Sequence, residues 1–235
     1  MTATRIRPVD TSSTPRPGMD RLELDVWVCQ ANIERFSDLL GQCANRREHQ
    51  RLETLLGREQ DWRRELEKAR HMRHRLVRLA AAGDTGVAAI FGVLLDDAIE
   101  EMAAAMGYIQ LMDVDNADLL VVASRGLSDS FLRFFTELHS NRTSGLLARL
   151  LNADGVMVED IRCNSLFIET EAGRMMERAQ SMAVLTLPLR LRQAGQTVGM
   201  VSTHWRAPTR TKPESRKRLA LRIGRAMDEL AGLSQ

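Results

Sequence analysis

The side chains that could do chemistry are few, and the first candidate group is acidic. Asp113, Asp115 and Asp118 have the alternate spacing of the carboxylates in a calcium-binding loop. Asp118 occupies the loop position where such loops need a glycine, and the bidentate glutamate that should close the loop is missing. The segment lies between two strand-like runs and has a turn-forming composition. We therefore interpret these carboxylates as the solvated turn of a hairpin and expect no metal site.

Cysteine chemistry is also sparsely represented. The chain contains three cysteines, Cys29, Cys43 and Cys163. They are too few and too scattered for a disulfide framework or a CxxC metal site, which favours a reducing cytoplasm. Cys163, in "RCNSLF", could be a redox-sensing thiol, and the simpler interpretation is a small residue beside a loop.

Histidines offer two further candidates. His204 ends a strand-like segment and could bind haem or a metal, but no second ligand has a recognisable pairing with it. We expect a packed, hydrogen-bonded histidine. His71 and His74 are three residues apart on a helical segment and could share a metal, but no third ligand has an obvious place. A solvated helix face is the simpler interpretation.

Two polar residues fall on adjacent predicted strands. Gln110 could line a pocket or make a structural hydrogen bond, because a buried amide needs a partner. Arg125 stands at a strand end, where arginine more often anchors a loop or lies on the surface.

Composition excludes several classes of protein. Among 235 residues, 44% are apolar and 27% are charged, with a net charge of +2, which indicates a packed core and no general nucleic-acid or membrane signature. Eight basic residues and one acidic residue lie between Arg206 and Arg225, and we interpret them as the exposed face of a last helix. The best apolar run, Val87 to Leu95, is far below the ~18 residues that span a bilayer. We expect a soluble cytoplasmic protein.

The first third of the chain is predicted to be helical. Residues 1–19 contain three prolines and no hydrophobic period, which is typical of a flexible tail. Residues 20–82 have apolar side chains at helical spacing, interrupted at Gly41 to His49, and this pattern predicts a helical hairpin or a coiled-coil segment. A single hairpin cannot bury its apolar stripe alone, so we expect dimerisation through this segment.

The remainder, residues 84–232, alternates between helix and strand. Asp84 or Thr85 can cap a helix that Gly107 would end. The predicted strands are "YIQLMD", "LLVVASR", "GVMVEDI" and a hairpin around "QAGQ". The predicted helices are "DSFLRFFTELH", "SGLLARLLNA", "TEAGRMMERAQ" and "PESRKRLALRIGRAMDELAG". The order predicts an α+β domain with a mostly antiparallel central sheet and helices on both faces.

These segments resemble a GAF domain, the small-molecule sensor module common in bacterial signalling proteins. "LLDDAIEEMAAAMGYIQLMD" resembles the opening helix and first strand of that family, and "LLVVASRGLSDSFLRFF" its second strand and following helix. "GVMVEDIRCNSLF" is similar to its third strand and loop, and the segment from "LTLPLRLRQ" to "GRAMDEL" to its closing hairpin and last helix. The resemblance covers residues 84–232.

The resemblance implies a ligand pocket on one face of the sheet, without naming the ligand or any cofactor. The candidate pocket residues are Gln110, Cys163, Phe167, Thr186 and Thr203. Three known activities of the family do not carry over. The Cys-His pair of bilin-binding members is absent at Cys163, the several cysteines of methionine-sulfoxide reductases are absent, and the lysine of the cyclic-nucleotide signature is absent.

The sequence therefore predicts a non-catalytic sensory protein that binds a small molecule and signals to a partner in trans. It would be a homodimer through helices 20–82 and the terminal helices of the domain. One alternative is an interaction protein, or a truncated piece of a sensor kinase, with a filled pocket. The other is a thiol-dependent enzyme that uses Cys163.

Overall fold

The computed structural model describes residues 21–113, 118–140, 155–191, 195 and 197–232. The predicted tail at 1–19, the helix "SGLLARLLNA", and most of the two turns "VDNAD" and "QAGQ" lie outside the described residues. The helices are α1 (Arg21–Gln42), α2 (Arg46–Ala81), α3 (Thr85–Met102), α4 (Asp129–Ser140), α5 (Glu171–Arg178) and α6 (Pro213–Gly232). The strands are β1 (Met106–Asp113), β2 (Asp118–Arg125), β3 (Val156–Val158), β4 (Ala183–Arg190) and β5 (Thr197–Trp205).

The chain divides into two compact units between Arg70 and His71. The first unit contains the predicted hairpin, α1 followed by the larger part of α2. Cys29 is buried there and its thiol donates to the backbone oxygen of Glu59 at 3.1 Å, while Arg63 bonds to Gln30. Burial raises the pKa of the Cys29 thiol to about 11, so this cysteine stays protonated and unreactive.

The second unit is built on a five-stranded antiparallel sheet in the order β2-β1-β5-β4-β3. Helices α3 and α6 pack beside each other and against the sheet, and α4 and α5 pack together elsewhere on it. Arg222 pairs with Asp97 and Arg218 with Glu101, each at 2.8 Å, which joins α6 to α3. The α+β architecture predicted from the sequence is confirmed.

The start of α3 agrees with the prediction and its end does not. Asp84 caps the helix, because its side chain accepts the backbone N–H of Val87 at 2.9 Å. The prediction that Gly107 ends α3 is wrong. The helix ends at Met102, and its C-cap Ala103 has the left-handed conformation with a φ of 47°, whereas Gly107 is the second residue of β1.

No single described helix is long and apolar enough to cross a membrane, although α2 and α3 together, bent by 95° at their junction, satisfy the same length and composition criteria.

Candidate functional site

Strand register places a row of polar side chains on one face of the sheet. Tyr108 of β1 is directly opposite Ser202 of β5, and Ser202 is directly opposite Thr186 of β4. Residues that are directly opposite share a face, as do residues two apart on one strand, so Gln110 and His204 belong to the same row. We name Tyr108, Gln110, Thr186, Ser202 and His204 the polar tract. All five are buried.

Hydrogen bonds connect the centre of the polar tract. The hydroxyl oxygens of Thr186 and Ser202 are 2.9 Å apart, and Ser202 is also hydrogen-bonded to the Tyr108 hydroxyl. The amide of Gln110 donates to the hydroxyl of Thr136 on α4 at 3.0 Å. Burial raises the pKa of Tyr108 to about 12, so its hydroxyl remains neutral at physiological pH.

His204 is the residue of the tract whose hydrogen bonding is incomplete. Its Nδ1 is 2.8 Å from the hydroxyl of Ser181, and its ring is only 2% exposed. Its Nε2 is buried and has no hydrogen-bond partner among the described residues. Burial lowers the pKa of His204 to about 3, which keeps the imidazole neutral. A buried polar atom without a hydrogen-bond partner costs about 1–3 kcal/mol of stability, so a hydrogen bond to Nε2 would be stabilising.

Aromatic side chains surround the imidazole of His204. Its ring stacks on Tyr108 with centroids 5.6 Å apart, and the ring of Phe131 on α4 meets it edge-on at the same distance. Phe131 also contacts Phe135, one turn further along α4, at 4.6 Å. We name Tyr108, Phe131, Phe135 and His204 the aromatic cluster. It lies within a larger apolar core that includes Phe167.

The five residues predicted to line the pocket do not form one group. Gln110 and Thr186 belong to the polar tract, and Phe167 packs in the adjoining apolar core. Cys163 is exposed, at the end of a short 3₁₀ turn. Thr203 lies on the opposite face of the sheet from the tract.

The position of Thr203 follows from the register of β5. Thr203 is directly opposite Gly107 on β1, and a side chain at Gly107 would meet Leu95 and Ile99 of α3. Thr203 therefore faces the α3 side. Its hydroxyl is buried there without a hydrogen-bond partner among the described residues.

The sequence reasoning missed Tyr108, Ser202 and Ser181 as members of the site. Tyr108 is two residues before Gln110, so strand alternation could have added it once Gln110 was chosen. Ser202 could have been found only by knowing which residue of β5 is opposite Thr186. His204 is packed and hydrogen-bonded through Nδ1, as expected from the sequence. The lack of a partner for its Nε2 among the described residues was not expected.

Two ion pairs among the described residues involve no member of the polar tract. Arg125 makes a two-pronged ion pair with Asp96 on α3, at 2.8 and 3.1 Å, and thus joins β2 to α3. Asp160 pairs with Arg162 at the surface of the 3₁₀ turn, and this pairing lowers the pKa of Asp160. In the part of the chain that the structure describes, no group of three metal-ligating side chains comes together.

Known protein structures resemble this chain, whereas known sequences do not. No protein-family model matches the chain, and no curated protein matches its sequence. The green light-absorbing state of TePixJ, described as an active cyanobacteriochrome domain, matches with a TM-score of 0.51 at 16% identity, over 63% of this chain and 87% of that one. The second unit has a GAF-like fold.

Two further structures match less closely in TM-score. The GAF domain/HD domain protein of Geobacter sulfurreducens matches at 0.48 with 16% identity, over 63% of this chain and 93% of that one. The blue-light absorbing form of the PixJ GAF domain of Thermosynechococcus elongatus matches at 0.45 with 17% identity, over 63% of this chain and 86% of that one.

Proposed function

We propose that this protein is a non-catalytic sensor of bacterial signal transduction, and that its GAF-like unit binds a small molecule at the polar tract. The observation that carries the proposal is the buried Nε2 of His204, which has no partner among the described residues. A ligand that satisfies this atom recovers the cost of leaving it unpaired. The GAF-like fold and the cyanobacteriochrome neighbour support a sensory role.

The sheet offers a direct route from such a ligand to the helices α3 and α6. Tyr108 faces the tract, while its neighbours Gly107 and Ile109 face the α3 side of the same strand. A ligand that shifts β1 or β5 therefore changes the packing under α3. In our proposal the ligand stabilises one arrangement of α3 and α6, and a partner protein recognises that arrangement.

Native mass spectrometry of the full chain, purified from its own host, tests the proposal. We expect a co-purifying small molecule on the wild type and its loss from His204→Phe, which keeps a ring of similar size but removes both nitrogens. His71→Phe, a substitution at an exposed histidine of α2, is the matched control and should keep the molecule. Ligand-free protein in all three preparations would overturn the proposal.

A second candidate function is that of an interaction scaffold without a ligand. The aromatic cluster favours it, because Phe131 is fully buried over the tract and could itself fill the pocket. A scaffold would be ligand-free on purification and would have a stable protein partner.

We also propose that Cys163 takes no part in an enzymatic reaction. Cys163 is exposed and is the one cysteine in the sequence of the GAF-like unit, whereas a disulfide cycle within the unit needs two. In an assay of peroxide or sulfoxide reduction, the wild type and Cys163→Ser should be equally inactive. Turnover that is lost with Cys163→Ser would contradict this.

Finally, we propose a cytoplasmic homodimer that uses helices 20–82 and the outer sides of α3 and α6. Large apolar side chains are exposed on all four helices: Val28, Trp62, Val93 and Leu221.

A further inference from the structure

The polar tract also restricts the kind of molecule that it could hold, and the first restriction concerns charge. His204 and Tyr108 are neutral, and the other three members of the tract cannot ionise. The charged side chains of the helices over this face, such as Arg133 and Glu137 on α4 and Arg174 and Glu177 on α5, are all exposed. A charged ligand group buried here would lose its hydration without gaining an opposite charge from the described residues.

The second restriction concerns shape. The atom without a partner belongs to a ring that is stacked on Tyr108 and covered edge-on by Phe131. A ligand that reaches Nε2 must displace some of the ring contacts around His204. Only a ligand with an aromatic ring of its own can replace the stabilisation that these contacts provide. A flat, aromatic ligand satisfies this condition, whereas a polar or branched aliphatic one does not.

The third restriction concerns hydrogen bonding. Ser181 occupies Nδ1, so one nitrogen of His204 remains for the ligand. If Ser181 donates to Nδ1, then Nε2 carries the proton and the ligand must offer an acceptor. If Nδ1 donates to Ser181, then Nε2 is an acceptor and the ligand must offer an O–H or N–H. Either tautomer gives one hydrogen bond at this atom.

We infer that the ligand is an uncharged aromatic molecule that makes one hydrogen bond with the Nε2 of His204. This inference rests on the proposed sensory function and narrows it to a class of ligand. It excludes nucleotides and other phosphates, and also free carboxylic acids in their ionised form, from the polar tract.

Three small probes with the same ring test the three restrictions. Phenol is neutral and has a hydrogen-bonding group, toluene is neutral and has none, and benzoate is charged. Binding to the full chain at pH 7.5 is followed by the ¹⁵N shifts of the histidine imidazoles, since the other four histidines serve as internal controls. We expect phenol to shift Nε2 of His204 and to bind roughly tenfold more tightly than toluene or benzoate.

The variant His204→Phe gives the second arm of the test. It should weaken phenol binding by roughly tenfold while leaving toluene binding within about twofold, because the variant keeps an aromatic ring but removes the atom that hydrogen-bonds phenol. His71→Phe should bind both probes as the wild type does. Circular dichroism establishes that each variant is folded before its binding is compared.

The outcomes separate this inference from the function on which it rests. Benzoate that binds as tightly as phenol, or an anionic or aliphatic molecule that co-purifies from the host, would overturn the inference and leave the sensor proposal standing. Failure of every probe to bind, together with ligand-free protein from the host, would overturn both.

Discussion

His204 is buried among aromatic rings, and burial alone lowers its pKa to about 3. In the unfolded chain the same side chain titrates near its ordinary pKa of 6.5. At pH values between these two pKa values, His204 is protonated in the unfolded state and neutral in the folded state. The folded protein therefore keeps the full contribution of a neutral His204 above pH 6.5 and loses it progressively as the pH falls towards 3.

The first prediction is an acid sensitivity that depends on this one residue. Below pH 6.5 the free energy of unfolding of the wild type should fall by up to about 1.4 kcal/mol per pH unit more than that of His204→Phe. Urea denaturation at pH 5 to 8 measures the difference. Glu101, whose pKa is held below its ordinary value by the hydrogen bond and charge of Arg218, should remain ionised over most of this range.

The control for this prediction is His71→Phe, which should keep the wild-type pH dependence. Parallel curves for the wild type and His204→Phe would show that the imidazole is hydrated or paired in the folded protein.

A second prediction at this scale concerns the hydroxyl chain of the polar tract. Tyr108→Phe and Ser202→Ala each remove one end of the same hydrogen bond. Their effects on the free energy of unfolding should therefore be less than additive, with a coupling of about 1 kcal/mol in a double-mutant cycle. Additive effects in urea denaturation would mean that the two hydroxyls do not interact.

At the scale of elements, the backbones of β1 and β5 lie so close together that one position on each strand requires glycine. A Cβ at Gly199 would collide with the backbone oxygen of Gln110, and a Cβ at Gly107 would lie 2.8 Å from the backbone oxygen of Ser202. These collisions involve backbone, which cannot rotate away as a side chain can. The two glycines therefore allow the central strands of the sheet to approach each other this closely.

The prediction for this pair of strands compares two identical substitutions. Gly199→Ala should destabilise the GAF-like unit by more than about 2 kcal/mol, because the central strands must separate. Gly224→Ala, in α6 with nothing within 4 Å of the added carbon, should instead stabilise it by about 0.5–1 kcal/mol, since alanine favours a helix. Thermal unfolding of both variants beside the wild type measures these shifts. Equal effects of the two substitutions would contradict the strand geometry.

The same elements show how far the sequence could predict this structure. Helices and strands were predictable where their own periodicity marks them, as in α3 with its cap at Asp84 and in the hairpin of β4 and β5. The end of α3 was not, because Ala103 adopts a left-handed conformation that is commoner in glycine. A glycine required by a neighbouring strand, such as Gly107, has the same appearance in the sequence as a glycine that ends a helix.

The candidate site was predictable only in part, for a similar reason. Gln110, Thr186 and Thr203 were named together as candidate pocket residues, yet Gln110 and Thr186 share one face of the sheet while Thr203, one position away from Ser202, lies on the other. A shift of one residue along a strand reverses the face, and the register that decides it is set by contacts between β1, β4 and β5. The incomplete hydrogen bonding of His204 likewise depends on which side chains the fold brings around it.

At the scale of the whole molecule, exposed apolar side chains indicate where copies could associate. Leu221 on α6 is 67% exposed and Val93 on α3 is 63% exposed, although most other large apolar residues of the two helices are buried. Single exposed leucines and valines are common on protein surfaces. The acidic residues Asp97 and Glu101 of α3 already pair with Arg222 and Arg218 of the same chain, so an interface here would depend on the exposed apolar side chains.

The prediction for the assembly is that a charge at Leu221 weakens self-association. Leu221→Asp should shift the protein from dimer towards monomer in size-exclusion chromatography with light scattering, since a carboxylate buried in an interface loses its hydration. Ile168→Asp is the matched control, because Ile168 is an equally large apolar residue, 45% exposed, that lies in a turn outside α3 and α6. It should leave the wild-type mass unchanged. A wild type that is already monomeric at all concentrations would refute the dimer, whereas a dimer that survives both Leu221→Asp and Val93→Asp would leave residues 20–82 as the dimerising segment.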